Sequence, residues 1–183
     1  MTTEVIKEKT ILGAFAEAFK KYFQFSGRSS RYDYWSFMLV NTVIVTGFEV
    51  LELLSPLFLT PRIIYGLVVF IPAFAILSRR LHDIGKSFWL IFIIFMLMLL
   101  GSILLRIGSS ILSIIGGLVV VAPIIYFLYL LCKKGDKDEN NYGIMNEAEK
   151  YNIISKRLIF VYFAIILTAF IIGIIMGVMS SMN

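Results

Sequence analysis

Three short polar stretches hold most of the residue types that could do chemistry. They are 25–35 (FSGRSSRYDYW), 79–89 (RRLHDIGKSFW) and 133–143 (KKGDKDENNYG). Arg28 and Arg31 lie three apart, so they share a helix face or line one turn. Arg79, Arg80 and Lys86 come from the second stretch. Guanidinium groups bind phosphate bidentately, so these five cations form a candidate anion site, most simply for an anionic phospholipid headgroup. The competing reading is a structural cap, in which Asp33, His82, Asp83, Asn140 and Tyr142 join the arginines in a network that locks helix ends together. The third stretch is either a solvated turn or a loop whose Asn140 and Tyr142 fold back onto the arginine stretches.

Other chemistry finds less support. His82 is the only histidine and Cys132 the only cysteine. A zinc site usually takes three or four ligands. The available oxygens, on Asp33, Asp83, Asp136 and Asp138, sit in ordinary solvated sequence, so no metal and no cofactor is expected. A His82–Asp83 proton shuttle lacks a nucleophile motif or a visible substrate pocket. No P-loop, dinucleotide fingerprint or nucleophile elbow occurs, and no catalytic residue is assigned. A single cysteine excludes an intramolecular disulfide.

The elements that position these stretches are apolar. Of the 183 residues, 59% are hydrophobic and 16% charged, against about 45–50% and about 25% in soluble domains. The excess lies in long blocks that bilayer accepts more readily than water. Five spans are predicted, at 34–54, 63–78, 88–105, 110–131 and 158–179. The second is short and would sit upright or thin the bilayer. The third and fourth are divided at Arg106, Gly108, Ser109 and Ser110, because the undivided stretch is about twice the membrane thickness. With the N-terminus inside, the inner segments hold Lys7, Lys9, Lys20, Lys21, Arg28, Arg31, Arg79, Arg80, Lys86, Lys133, Lys134, Lys137, Lys150, Lys156 and Arg157, and the outer ones only Arg62 and Arg106. That asymmetry predicts a cytoplasmic N-terminus and an outer C-terminus. The net charge of +5 is therefore topological, and no nucleic-acid partner is expected. Tyr32, Tyr34 and Trp35, Phe88 and Trp89, and Tyr126 and Tyr129 mark the inner headgroup level.

Residues 10–25 read as an amphipathic helix. Thr10, Gly13, Glu17, Lys20, Lys21 and Gln24 face one way, and Ile11, Leu12, Phe15, Phe19, Tyr22 and Phe23 the other. It lies in the cytoplasmic interface with its aromatics among the acyl chains, or packs on the protein's own surface. The charged first thirty residues leave no signal-peptide core. Glu49 and Glu52 fall near the outer end of the first span, and Asn41 nearer its middle. Pro72 and Pro123 are candidate kinks. Gly173 with Gly177, and Ser113 with Gly117, are small-residue pairs suited to helix contact and homo-oligomerisation.

The three polar stretches resemble the signature blocks of the bacterial "domain of unknown function 805" family of inner-membrane proteins. Gly27, Arg28, Arg31, Tyr34 and Trp35 match its first block. Arg80, His82, Asp83, Gly85, Ser87 and Trp89 match its second, with Phe88 where glycine is usual. Gly135, Asn140, Tyr142 and Gly143 match its third, with Asp138 in place of a glycine and Ile144, Met145 and Asn146 in place of Pro-Asp-Pro. The resemblance covers 15–143 and implies a membrane location without a defined activity.

The expected protein is an all-α membrane bundle of about five transmembrane helices behind an N-terminal amphipathic segment. It divides into 1–33, a four-helix part at 34–143, and a linker with the last helix at 144–183. Its expected role is that of a scaffold or accessory protein of the bacterial inner membrane. The alternatives are a transporter or channel component using Glu49, Glu52 and Asn41, and a membrane enzyme using His82 and Asp83.

Overall fold

Uninterrupted apolar runs bounded by glycine, proline and charge become helices, six in all among the described residues. The computed structural model describes residues 9–107, 110–143 and 149–181, the last stretch with side chains at 151 and 153–168. The helices are α1 (Ile11–Lys20), α2 (Arg31–Leu54), α3 (Leu59–Asp83), α4 (Trp89–Leu105), α5 (Ser110–Cys132) and α6 (Glu149–Ser181), with a 3-10 turn at Pro56–Phe58 leading into α3. The protein is a helical membrane protein. Among the described residues three stretches, Arg31–Leu54, Pro56–Asp83 and Ser110–Cys132, are long and apolar enough to cross a bilayer. The apolar α4 has 17 residues, slightly under the usual span of about 20. The second span is not short, because the polar residues flanking 63–78 continue the helix at both ends. α6 starts well before 158, and its 33 residues extend about 50 Å, more than the hydrocarbon thickness of about 30 Å. Gly173 and Gly177 lie outside the residues with described side chains, and Gly108, Ser109, Ile144, Met145 and Asn146 lie outside the described residues altogether.

The chain divides into two compact units. The first comprises Met1–Tyr22, Tyr32–Ala73 and Glu147–Asn183. In it, Thr10 caps α1 by accepting a hydrogen bond from the Gly13 amide at 2.9 Å. α1 follows the second of its two readings on one face. Ala14 and Ala18 are buried, and Phe15 and Phe19 pack on Phe37 with ring centroids 5.5 and 6.3 Å apart. Leu12 stays outside, 69% exposed. On the polar side Lys21 pairs with Glu17 at 2.8 Å and holds its carboxyl below the usual range.

The aromatic residues opening α2 are taken up by the core of this unit. Tyr32, Tyr34 and Trp35 are all buried, Trp35 between Tyr162 and Phe163 of α6 at 5.1 and 5.6 Å. Large rings bury the most apolar area per residue, and here the core of the unit takes them. Near the opposite end of α2, Arg62 of α3 reaches Glu52 at 2.6 Å and Glu49 at 3.5 Å. The Tyr65 hydroxyl donates to Asn41 at 2.9 Å.

Pro72 explains one further contact. Proline has no amide hydrogen, so the carbonyl four residues earlier, that of Val68, loses its helical donor. The Tyr22 hydroxyl, just past the end of α1, donates to that carbonyl at 2.6 Å. One side chain thus repairs α3 and tethers the N-terminal helix to it.

The second unit comprises Phe23–Arg31 and Phe74–Asn146. It is built on the antiparallel pair α4 and α5. Gly101 and Gly116 face each other so closely that a Cβ on Gly116 would sit 2.8 Å from the Gly101 carbonyl oxygen. Backbone-to-backbone approach of this kind maximises dispersion between membrane helices. The small residue that makes it is Gly116, not the Ser113–Gly117 pair; a Cβ on Gly117 would meet nothing within 4 Å. Toward the motif end, Leu81, Ile84 and Leu130 form a buried cluster with Leu90, Ile91 and Phe127 packed on it.

Replacing Tyr22 with Phe keeps the ring and removes only the donor to Val68. Its expected effect is a loss of about 1–3 kcal/mol and an earlier thermal transition of the purified protein in detergent. An unchanged transition would show that the bulk of the ring, not the hydroxyl, fixes α1.

Candidate functional site

Asp83 is the last residue of α3, and Arg80 stands one turn before it. Arg80 Nη1 donates to Asp83 Oδ2 at 2.6 Å. Arg28, from the loop before α2, donates through Nε to Oδ1 at 3.0 Å. Asp83 is 3% exposed and Arg80 fully buried. Two guanidiniums on one carboxylate leave one unit of positive charge in a buried cluster. The neighbouring end of α5 offsets it. Arg80 Nε and Nη2 donate to the Leu131 carbonyl at 3.2 and 3.1 Å, Nη2 also to that of Lys133, and Arg31 Nη1 to that of Cys132 at 3.1 Å. The final carbonyls of a helix lack helical donors and carry about half a negative charge between them. Arginines from two other chain segments therefore cap α5.

The loop after α5 closes around the same groups. Arg28 Nη1 donates to the carbonyls of Asp138 and Gly143 at 3.0 and 2.9 Å, and Nη2 to that of Asp136. The Asp136 amide donates to the Asp83 carbonyl at 2.8 Å. Gly135 lies directly on the Asp83 carboxyl, where a Cβ would overlap it. Asn140 donates to the carbonyl of His82 at 2.9 Å and to Asp136 Oδ2 at 3.1 Å, and accepts from the Tyr142 amide at 2.9 Å. The Tyr142 ring stacks on His82, centroids 3.8 Å apart and planes 3° from parallel. His82 Nδ1 is 3.1 Å from the Gly27 carbonyl oxygen. Of the two readings of 133–143, the folded-back loop is the one observed.

The remaining residues fix the frame. Arg79 donates to Ser29 Oγ at 3.0 Å and to the Gln24 carbonyl, while the Ser29 amide returns a bond to the Arg79 carbonyl at 2.9 Å. α3 ends in a Schellman turn: the Lys86 amide bonds the Leu81 carbonyl at 2.9 Å and the Gly85 amide that of His82 at 3.0 Å, with Gly85 at φ +69°. Lys86 is exposed on that turn. Asp33 belongs to the first unit, where Lys9 pairs with it. The second unit thus gathers Arg28, Arg31, Arg79, Arg80, His82, Asp83, Asn140 and Tyr142. The acceptors that use the arginines were not visible as residue types, because most are backbone carbonyls. Gly135 was visible as a motif position, but nothing in its spacing revealed that it makes room for a carboxylate.

Chemically, the arrangement neutralises and ties down helix ends. Replacing Asp83 with Ala leaves Arg28 and Arg80 without their counter-charge, and the expected loss is about 3–5 kcal/mol. Asp83→Asn, which keeps the volume, should lose nearly as much in thermal unfolding in detergent. A near-neutral D83N would mean that shape rather than charge matters at this position.

Comparison with known proteins agrees with the motif blocks. A family model described as "Protein of unknown function (DUF805)" matches residues 22–144. Inner membrane protein YhaI of Escherichia coli strain K12 is 39% identical over 69 residues, covering 37% of this chain and 58% of YhaI. Inner membrane protein YhaH of the same strain is 37% identical over 83 residues, covering 41% of this chain and 66% of YhaH. No solved structure matches the chain. With a family match over most of its length, and with the arginine, aspartate and glycine residues of the three blocks meeting in one buried network, the chain belongs to the DUF805 family of membrane proteins.

Proposed function

We propose that the chain is a small scaffold or accessory protein of the bacterial inner membrane, with the motif-bearing end in the cytoplasm and a lysine-rich rim there that draws anionic phospholipid headgroups. One observation carries the reading: the motif arginines are buried and donate to internal acceptors, whereas Lys86, Lys133, Lys134 and Lys137 are exposed around them. The arginines then serve as the frame of the cap and the lysines as its outward charge. Exposed lysines beside a membrane attract anionic lipid by about 1 kcal/mol each. Asp138 and Glu139 are also exposed on this rim and moderate the attraction.

The orientation rests on the bias of lysine and arginine toward one set of loops, and the relatives' names place those proteins in an inner membrane. The transporter reading gains nothing from the geometry: Glu49 and Glu52 engage Arg62, and Asn41 engages Tyr65. For the enzyme reading, His82 is occupied by a stacked tyrosine and a backbone carbonyl.

Two measurements test this. Purified protein in mixed micelles should retain phosphatidylglycerol over phosphatidylcholine when its bound lipids are weighed by native mass spectrometry. Changing Lys86, Lys133, Lys134 and Lys137 to Gln should reduce that preference more than tenfold with helicity unchanged. Equal retention of both lipids by the unaltered protein would defeat the proposal. For orientation, a Lys86→Cys, Cys132→Ser variant should react with a membrane-impermeant maleimide in inverted vesicles. Reaction in intact spheroplasts would reverse the topology.

A further inference from the structure

We infer that α4 carries a specific site for one anionic phospholipid, an acyl chain lying in an aromatic groove and the phosphate at Lys86. The inference rests on the headgroup-attracting rim proposed above and assigns it a defined position. The groove is open on one side, offers about 510 Å³ and is lined by Phe74, Phe88, Trp89, Ile91, Phe92 and Phe95, with essentially no polar atom in its wall. Its residues follow helical spacing along the first two turns of α4, and Phe74 of α3 closes it from the side, its ring 6.2 Å from that of Phe88. Phe25 meets the other edge of Phe88 at 6.4 Å. The groove is therefore walled by two chain segments, α3 and the start of α4, with Phe25 backing Phe88.

The depth of the groove is marked by its own residues. Trp89 is 71% exposed, as suits an indole at the boundary between hydrocarbon and headgroups. Phe92 and Phe95 follow it along the helix axis into the apolar run. Lys86 precedes Trp89 by three residues, on the Schellman turn that fixes its backbone. Cation, interfacial indole and apolar slot thus succeed one another in the order of phosphate, glycerol and acyl chain. That order and the charge at its head select an anionic phospholipid. The inner side of the groove is also anchored, since Ile91 packs on the buried Leu81, Ile84 and Leu130 cluster.

The test uses quenching of Trp89 by brominated acyl chains in the full-length protein, with a Trp89→Phe variant subtracted to remove the signal of Trp35. Brominated phosphatidylglycerol should quench Trp89 several-fold more effectively than brominated phosphatidylcholine at the same mole fraction. Lys86→Gln should lower that ratio about fivefold while both lipids still quench. Equal quenching by the two lipids in the unaltered protein would overturn the site. If phosphatidylglycerol is still preferred by weight under that outcome, the general attraction stands and only this site falls. If the preference by weight is absent too, both fall together. Protection of Trp89 from either lipid would mean that a helix of another copy covers the groove, and would also overturn the inference.

Discussion

The cap depends on how a single carboxylate is shared. Asp83 faces Arg28 and Arg80, with contacts of 3.0 and 2.6 Å, in a place where water does not reach. A buried ion pair contributes little net stability unless every remaining donor finds an acceptor. Here the extra positive charge meets the negative end of a helix, and the guanidinium hydrogens meet its open carbonyls. Removing any of the three elements leaves the others in deficit: the carboxylate, the second arginine, or the unfinished end of α5. The network is thus more a condition for the local fold than an addition to it.

The same logic separates two kinds of cation that look alike in the sequence. Arginine presents a planar fork of donors that can serve several carbonyls at once, which a lysine ammonium cannot do with fixed geometry. The buried positions are accordingly Arg28, Arg31, Arg79 and Arg80, and the exposed ones Lys86, Lys133, Lys134 and Lys137. A lysine at position 28 would offer three donors from one point, whereas Arg28 spans Asp83, Asp136, Asp138 and Gly143.

Much of this was legible in the residues. The apolar runs marked α2, α4 and α5 to within a few positions, because a continuous apolar run crossing hydrocarbon satisfies its backbone groups within itself only as a helix. Polar types at successive span ends allow the arginine blocks to meet Asp83; for 133–143 they leave both a solvated turn and a fold-back of Asn140 and Tyr142 open, and hydrogen bonds to the backbone decide between them. What stayed hidden was carried by the backbone or by close approach. The Tyr22 contact depends on a carbonyl freed by Pro72, and the α4–α5 contact on Gly116 rather than the better-patterned Ser113 and Gly117. Tyr32, Tyr34 and Trp35 read as interfacial because their types favour that level; that they also build the core of their unit, Trp35 against α6, is not visible in those types.

The loop that completes the network is the last part of it to be made. Arg28 is separated from Gly143, whose carbonyl it bonds, by 115 residues. At cellular elongation rates that interval lasts on the order of ten seconds. For the part of it after Asp83 is made, Arg28 and Arg80 hold that carboxylate while their carbonyl acceptors in α5 and its loop have not left the ribosome. The early helices must therefore be held in the membrane with water or insertion machinery standing in for the carbonyls of α5 and its loop. A chain broken off before the end of α5 would keep α2, α3 and α4 but present an open, charged end of α3, a mark by which quality control could tell an unfinished copy from a finished one.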